Sequence, residues 1–136
     1  MIRKAKNISE DIVSIYKLIK YGADNAQVLY RPKKEIEKSI NSFWVWEVSE
    51  GKIVACCALD IYNKKLAEVR SLVVAPTYQG KGIATKLIKA CKKEAKRQEI
   101  YEILAVTEKD SLFEKNGFKK CLNGQWPMFI KLKNLV

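Results

Sequence analysis

The chain reads as an α/β protein of the α+β kind, a mixed central sheet flanked by helices, on three observations. Two stretches of helical apolar spacing lie before residue 42. Three strand-like runs then follow one another with only tight turns between them. The third run ends in a glycine-rich loop that opens straight into an amphipathic helix and a further short apolar run, the pattern of strand, crossover helix and parallel strand.

Ser9 is placed to cap a first helix, with Glu10 and Asp11 in the first turn, where the positive end of the macrodipole favours carboxylates. Ile12, Ile15, Tyr16 and Ile19 form its apolar stripe, and Gly22 is the expected stop. Pro32, suited to the first helical position, opens a second helix that buries Ile36 and Ile40. Residues 43–48 read as a strand, Glu50-Gly51 as a hairpin turn, and residues 53–62 as a longer strand rich in β-branched and small side chains. Asn63-Lys64-Lys65 turns the chain into a third strand over residues 66–74. The helix from about residue 81 to Arg97 sets Ile83, Leu87, Ile88, Cys91 and Ala95 on one face, which fits packing on a sheet. Residues 100–106 form the parallel strand, residues 111–116 a short helix ended by Gly117, and residues 128–132 alternate toward a final strand. No linker or repeat interrupts this order, so residues 1–136 are expected to form a single domain.

Composition narrows the chemistry. The chain has no histidine, which removes Ser-His-Asp and Cys-His nucleophilic mechanisms and the usual zinc sites; no metal is expected. Cys56, Cys57, Cys91 and Cys121 show no C-x-x-C spacing, and adjacent Cys56 and Cys57 on a strand should point to opposite faces as small apolar residues of a reducing compartment. No apolar run approaches the ~20 residues of a membrane span, so no membrane association and a cytoplasmic location are expected. Lys and Arg number 26 against 15 Asp and Glu, a net charge of +11 that attracts anionic partners. Lys86, Lys89, Lys92, Lys93, Lys96 and Arg97 follow the glycine loop and read either as a solvated helix face or as a surface for phosphates.

Residues 72–85, Leu-Val-Val-Ala-Pro-Thr-Tyr-Gln-Gly-Lys-Gly-Ile-Ala-Thr, carry the most chemistry. Backbone N–H groups at a helix N-terminus lack intrahelical partners and sit at the positive end of the dipole, and Gly80 and Gly82 let the chain approach an anion. A dinucleotide fingerprint would need glycine where Thr85 stands, and a Walker A loop would need glycine where Ala75 stands. What remains, Gln79-Gly80-Lys81-Gly82-Ile83-Ala84, resembles the Q/R-x-x-G-x-G/A signature of the GNAT (GCN5-related) N-acetyltransferases, and the order of elements resembles the whole GNAT fold.

The resemblance implies that acetyl-CoA is the co-substrate, its pyrophosphate gripped by Gln79, Gly80, Lys81, Gly82, Ile83, Ala84 and Thr85. It implies that the backbone of Leu72, Val73 and Val74 holds the pantetheine arm on a strand splayed from its neighbour, with an amide polarising the acetyl carbonyl. Glu68 resembles the strand glutamate that several branches use as general base, and stands four residues before Leu72, hence on the same expected strand face; a salt bridge to a lysine or Arg70 is the structural alternative. In Leu112-Phe113-Glu114-Lys115-Asn116-Gly117-Phe118 a phenylalanine occupies the position of the family's usual tyrosine acid, leaving water, Thr107, Ser111 or no acid to assist the thiolate. That departure, with Arg31-Pro32 and Arg70-Ser71-Leu72, resembles the acetyltransferase domain of N-acetylglutamate synthases and single-domain amino-acid N-acetyltransferases. Arg31 and Arg70 are then candidates for an acceptor α-carboxylate, or else ordinary charge pairs.

The expected function is acetyl transfer from acetyl-CoA to a primary amine of a small molecule, possibly an amino acid such as glutamate, by direct attack in a ternary complex. Acetylation of a protein or other amine is the nearby alternative. A non-catalytic CoA-binding or nucleic-acid-binding regulator on the same scaffold is the competing class, with nucleic acid the less favoured partner. Trp126 and the tail strand offer a homodimer contact, although Trp44, Trp46 and Trp126 read equally as core or cleft lining.

Overall fold

A computed structural model describes residues 1–134. The elements are β1 (Ile2–Lys4), α1 (Ser9–Asp24), α2 (Lys33–Lys38), a 3-10 turn (Ile40–Ser42), β2 (Phe43–Ser49), β3 (Lys52–Ile61), β4 (Leu66–Val74), a second 3-10 turn (Pro76–Tyr78), α3 (Ile83–Arg97), β5 (Glu102–Leu104) and α4 (Asp110–Lys115). The strands form one mixed sheet in the order β1-β2-β3-β4-β5, antiparallel except for the parallel β4–β5 pair across α3. Two apolar layers cover its faces. Under α1 and α2 lie Ile15, Ile19, Ile36, Phe43, Val45, Cys56 and Val73; under α3 lie Ala55, Cys57, Val69, Leu87, Ile88 and Cys91. Adjacent Cys56 and Cys57 thus face opposite layers, as the strand period requires.

Several elements differ from their expected form. Strand β1 was not legible: it is three residues long and exists through pairing of Ile2, Arg3 and Lys4 with Trp46, Val45 and Trp44. Ser9 is the first helical residue and makes no side-chain cap; Ile8 holds the cap position. Asp11 ties down that end of the chain instead, since its buried carboxylate accepts the Lys6 backbone N–H at 2.7 Å and a two-pronged bond from Arg3 at 2.8 and 2.9 Å. Those bonds hold the Asp11 carboxyl below its usual range, the Arg3 contact most of all.

Gly22 does not stop α1. The helix continues to Asp24, and a Cβ at Gly22 would stand 2.9 Å from both Val28 Cγ2 and Val73 Cγ2, so glycine is there for close packing on the sheet. Pro32 caps α2 from outside, at φ −60° and ψ 151°, rather than occupying its first turn. Residues 128–132 form no strand, because none of the described residues pairs with them. Trp126, Met128, Phe129, Ile130 and Leu132 are 64–86% exposed, an apolar tail outside both layers.

Candidate functional site

β4 pairs with β5 only over Leu66↔Glu102, Ala67↔Ile103 and Glu68↔Leu104. Beyond Glu68 the two strands part, leaving the β4 edge to Val74 without a strand neighbour on that side. A bulge accompanies the parting. Cys56 pairs with Val73 and Ala58 with Arg70, so Ser71 and Leu72 together oppose Cys57. Ser71 takes φ +55°, the left-handed region.

The bulge corrects one expectation directly. Glu68 and Leu72 are four residues apart but do not share a face: Leu72 and Val74 pack toward α3 with Ala67 and Val69, whereas Val73 packs toward α1. Glu68 belongs with Arg70, on the α1 side of the sheet, because the extra residue reverses the alternation. The side chains of Leu72, Val73 and Val74 are core in either layer, and their free edge is backbone.

That edge runs into the glycine loop. Gln79 donates its side-chain amide to the Val74 carbonyl at 3.0 Å, tying loop to strand. Gly80 and Gly82 take φ +75° and +81°, and Gly82 holds the cap position of α3. Among the described residues, nothing beyond the immediate chain neighbours lies within 4 Å of a Cβ built on either, so open space faces the loop. Among the described residues, the backbone N–H groups of Gly80, Gly82, Ile83, Ala84 and Thr85 donate to no protein acceptor. A helix start leaves four such donors, and the loop's donors lie next to them. Ile83 anchors the turn in the α3 layer, while Lys81 lies over the Tyr78 ring at 5.5 Å and Lys86 over Trp46 at 5.1 Å. Aligned donors, a helix dipole and flanking lysines form a cradle for a phosphate chain. Farther along α3, Lys89, Lys93 and Lys96 are solvent-exposed.

On the α1 side, β3 and β4 present a polar strip. Asp60 and Glu68 are cross-strand partners. Tyr62 donates its hydroxyl to Glu68 Oε1 at 2.6 Å, and burial, with that bond second, pushes the phenol up to about 12. The expected alternative for Glu68, an ion pair with Arg70, is not made: Arg70 Nη1 reaches Asp60 Oδ2 at 2.9 Å. Arg31 approaches the same Asp60 oxygen at 3.7 Å, so both candidate arginines meet at one carboxylate. They differ in access. Arg31 is 3% exposed, with Nε on Glu35 and the two terminal nitrogens on Ser71 and Ser39, whereas the Arg70 side chain is 29% exposed. Asp60 and Tyr62 were missed in the sequence; their spacing of two from each other and their placement opposite Glu68 across a three-residue turn was the available signal.

Neither Cys56 nor Cys57 offers a nucleophile. Burial pushes Cys56 up to about 12, and contact with the Cys91 sulfur at 3.7 Å, then burial, raises Cys57 well above its ordinary value. Phe113 is core, edge-on to Phe118 with centroids 5.1 Å apart, while Thr107 and Ser111 are exposed. Among the described residues no helix is long and apolar enough to cross a membrane, and no group of three potential metal ligands occurs.

Comparison with known proteins agrees with this geometry. Residues 39–120 match the acetyltransferase (GNAT) domain. An uncharacterized N-acetyltransferase from Chlorobaculum tepidum is 28% identical over 88% of this chain and 77% of its own length. The amino-acid acetyltransferase of Pasteurella multocida is 28% identical over 80% of this chain, which spans only 25% of that protein. The solved N-acetylglutamate synthase of Neisseria gonorrhoeae, complexed with coenzyme A and N-acetyl-glutamate, superposes with a TM-score of 0.81 at 26% identity, over 93% of this chain and 30% of that one. The match covers more than half of the sequence and includes the splayed strand, the glycine loop and α3: this chain belongs to the GNAT N-acetyltransferases, enzymes that take acetyl-CoA as co-substrate.

Proposed function

We propose that the protein transfers the acetyl group of acetyl-CoA to the primary amine of a small molecule carrying a carboxylate, an amino acid such as glutamate being the favoured acceptor. The observation that carries this reading is the placement of a carboxylate and a partly exposed guanidinium, Glu68 and Arg70, on one face of β4, on either side of the point where that strand parts from β5. The amino-acid acetyltransferases among its relatives favour the same acceptor class, although the chain spans a quarter of the one from Pasteurella multocida.

Each residue has a role in this scheme. The free N–H groups from Gly80 to Thr85, with Gln79 and Lys81, hold the pyrophosphate, and the backbone edge of Leu72, Val73 and Val74 holds the pantetheine arm so that an amide there polarises the thioester carbonyl. Glu68 takes the proton of the acceptor ammonium, and the free amine attacks the carbonyl carbon; the nitrogen sheds its second proton to water, the C–S bond breaks and CoA leaves as thiolate. Arg70 forks onto the acceptor carboxylate, and Arg31 stands behind it through their shared Asp60. With Phe113 buried, the thiolate takes its proton from water or from an exposed hydroxyl, Thr107 or Ser111. Burial and the raised pKa values of Cys56 and Cys57 disfavour an acyl-enzyme on either thiol, and attack is direct, in a ternary complex.

The free cysteines fit a reducing, cytoplasmic setting. The exposed apolar tail supports a homodimer: five large apolar side chains are left at 64–86% exposure, and a second copy brings an identical set.

Initial-rate kinetics test the scheme. Varying acetyl-CoA and amine together should give intersecting double-reciprocal lines; parallel lines would mean an acetyl-enzyme and contradict direct attack. Binding of CoA without thiol release, together with salt-sensitive DNA binding, would favour the regulatory alternative instead.

A further inference from the structure

Ser71 occupies a costly conformation at a decisive place. A non-glycine residue at φ +55° inside a strand persists only when its surroundings hold it. Here the holder is identifiable. Arg31, 40 residues earlier, donates Nη1 to Ser71 Oγ at 3.1 Å. Arg31 is itself fixed: Nε is on Glu35 at 3.0 Å, Nη2 is on Ser39 Oγ at 3.2 Å, and the guanidinium lies 5.1 Å from the Phe43 ring centroid. The Ser71 carbonyl in turn accepts the Cys56 thiol at 3.4 Å. The residue at the bulge is therefore gripped at its side chain by the α2 end of the molecule and at its backbone by β3.

The bulge decides what β4 offers. Two β4 residues opposite one β3 residue increase the local twist and bend the strand, and β4 leaves β5 just before this point, after Glu68↔Leu104. We propose that Arg31 is a positioning residue for the acetyl donor: by pinning Ser71 in the left-handed conformation it sets the opening between β4 and β5 into which the pantetheine arm lies. This rests on the donor reading of that cleft, and it gives Arg31 a task separate from any contact with the acceptor.

Acetyl-CoA affinity, measured by calorimetry on the full chain without acceptor, tests it. Arg31→Met should weaken binding about tenfold, and Ser71→Ala, which removes the hydroxyl while keeping the Cβ penalty, about fivefold. Ser71→Gly should bind within about twofold of the parent, because glycine takes positive φ unaided. The double variant Arg31→Met/Ser71→Gly should recover affinity to within about threefold of the parent, a rescue that a general loss of packing at Arg31 would not give. Unchanged affinity in Arg31→Met, or a double variant no better than the single one, overturns the proposal. Should Arg31→Met fail to fold, the contrast between Ser71→Ala and Ser71→Gly decides, and equal affinities there overturn it as well. A parent protein that bound no acetyl-CoA would instead contradict the donor site itself.

Discussion

The donor loop and the acceptor strip are built from different materials. In the proposed donor site, Leu72 to Thr85, the groups left free are mainly backbone: a strand edge without a neighbour among the described residues and N–H groups ahead of α3. From Asp60 to Arg70, with Arg31, they are side chains that hold one another, Tyr62 on Glu68 and both arginines on Asp60. A backbone site depends on φ and ψ, which two glycines announce locally. A side-chain site depends on register, which one bulge can reverse.

The largest expected effect falls on the donor side. Gly82→Leu forces a branched side chain onto φ +81° at the cap of α3, so acetyl-CoA affinity should drop at least about a hundredfold while stability falls by only about 1–2 kcal/mol, since the position faces open space. Titration calorimetry and thermal unfolding read the two quantities separately; unchanged affinity would show that the cradle is not the pyrophosphate site.

Second is Glu68→Gln. Removing a general base should lower kcat about 10²-fold, the low end of what such groups contribute, with acetyl-CoA affinity unmoved. Equal loss of donor affinity would erase the distinction between the two regions. Third, Arg70→Met should raise the acceptor KM about 10- to 100-fold, the worth of a charge-assisted hydrogen bond, and leave the acetyl-CoA KM within about twofold. The opposite split would move Arg70 to the donor side.

The smallest effect concerns pH. Tyr62 is raised to about 12 in the folded protein, so folding favours its protonated form; its contribution is fully present below the ordinary phenol value near ~10 and is lost as pH rises toward 12. The phenol is therefore a hydrogen-bond donor to Glu68 throughout the neutral range. Tyr62→Phe should flatten the fall of stability between about pH 10 and 12, a modest change because the residue is 53% exposed. An unchanged alkaline profile would mean that Tyr62 is not protected there.

What was legible in the sequence follows the same division. The glycine spacing, the apolar face of α3 and the parallel strand after it are local patterns, and they stand where expected. The strip was half legible: Glu68, Arg70 and Arg31 were singled out and stand near one another around Asp60, but Glu68 was placed on the face of Leu72, because the bulge at Ser71, which Arg31 contacts from 40 positions away, leaves no local mark in the sequence. Strand β1 was missed for a related reason, since three residues make a strand only beside β2. The tail pattern at 128–132 failed in the opposite sense, a good alternation with no neighbour to pair it.

The central claim is that a donor cradle and a carboxylate-reading strip jointly acetylate a small amine. It is tested most directly by following thiol release from acetyl-CoA across a panel of free amino acids and matched amines lacking the carboxylate, with product identified by mass. The expected result is release that requires the amine, yields the N-acetyl product, and falls at least about tenfold when the α-carboxylate is absent. Tight acetyl-CoA binding without amine-dependent release, or equal rates with and without the carboxylate, would contradict it.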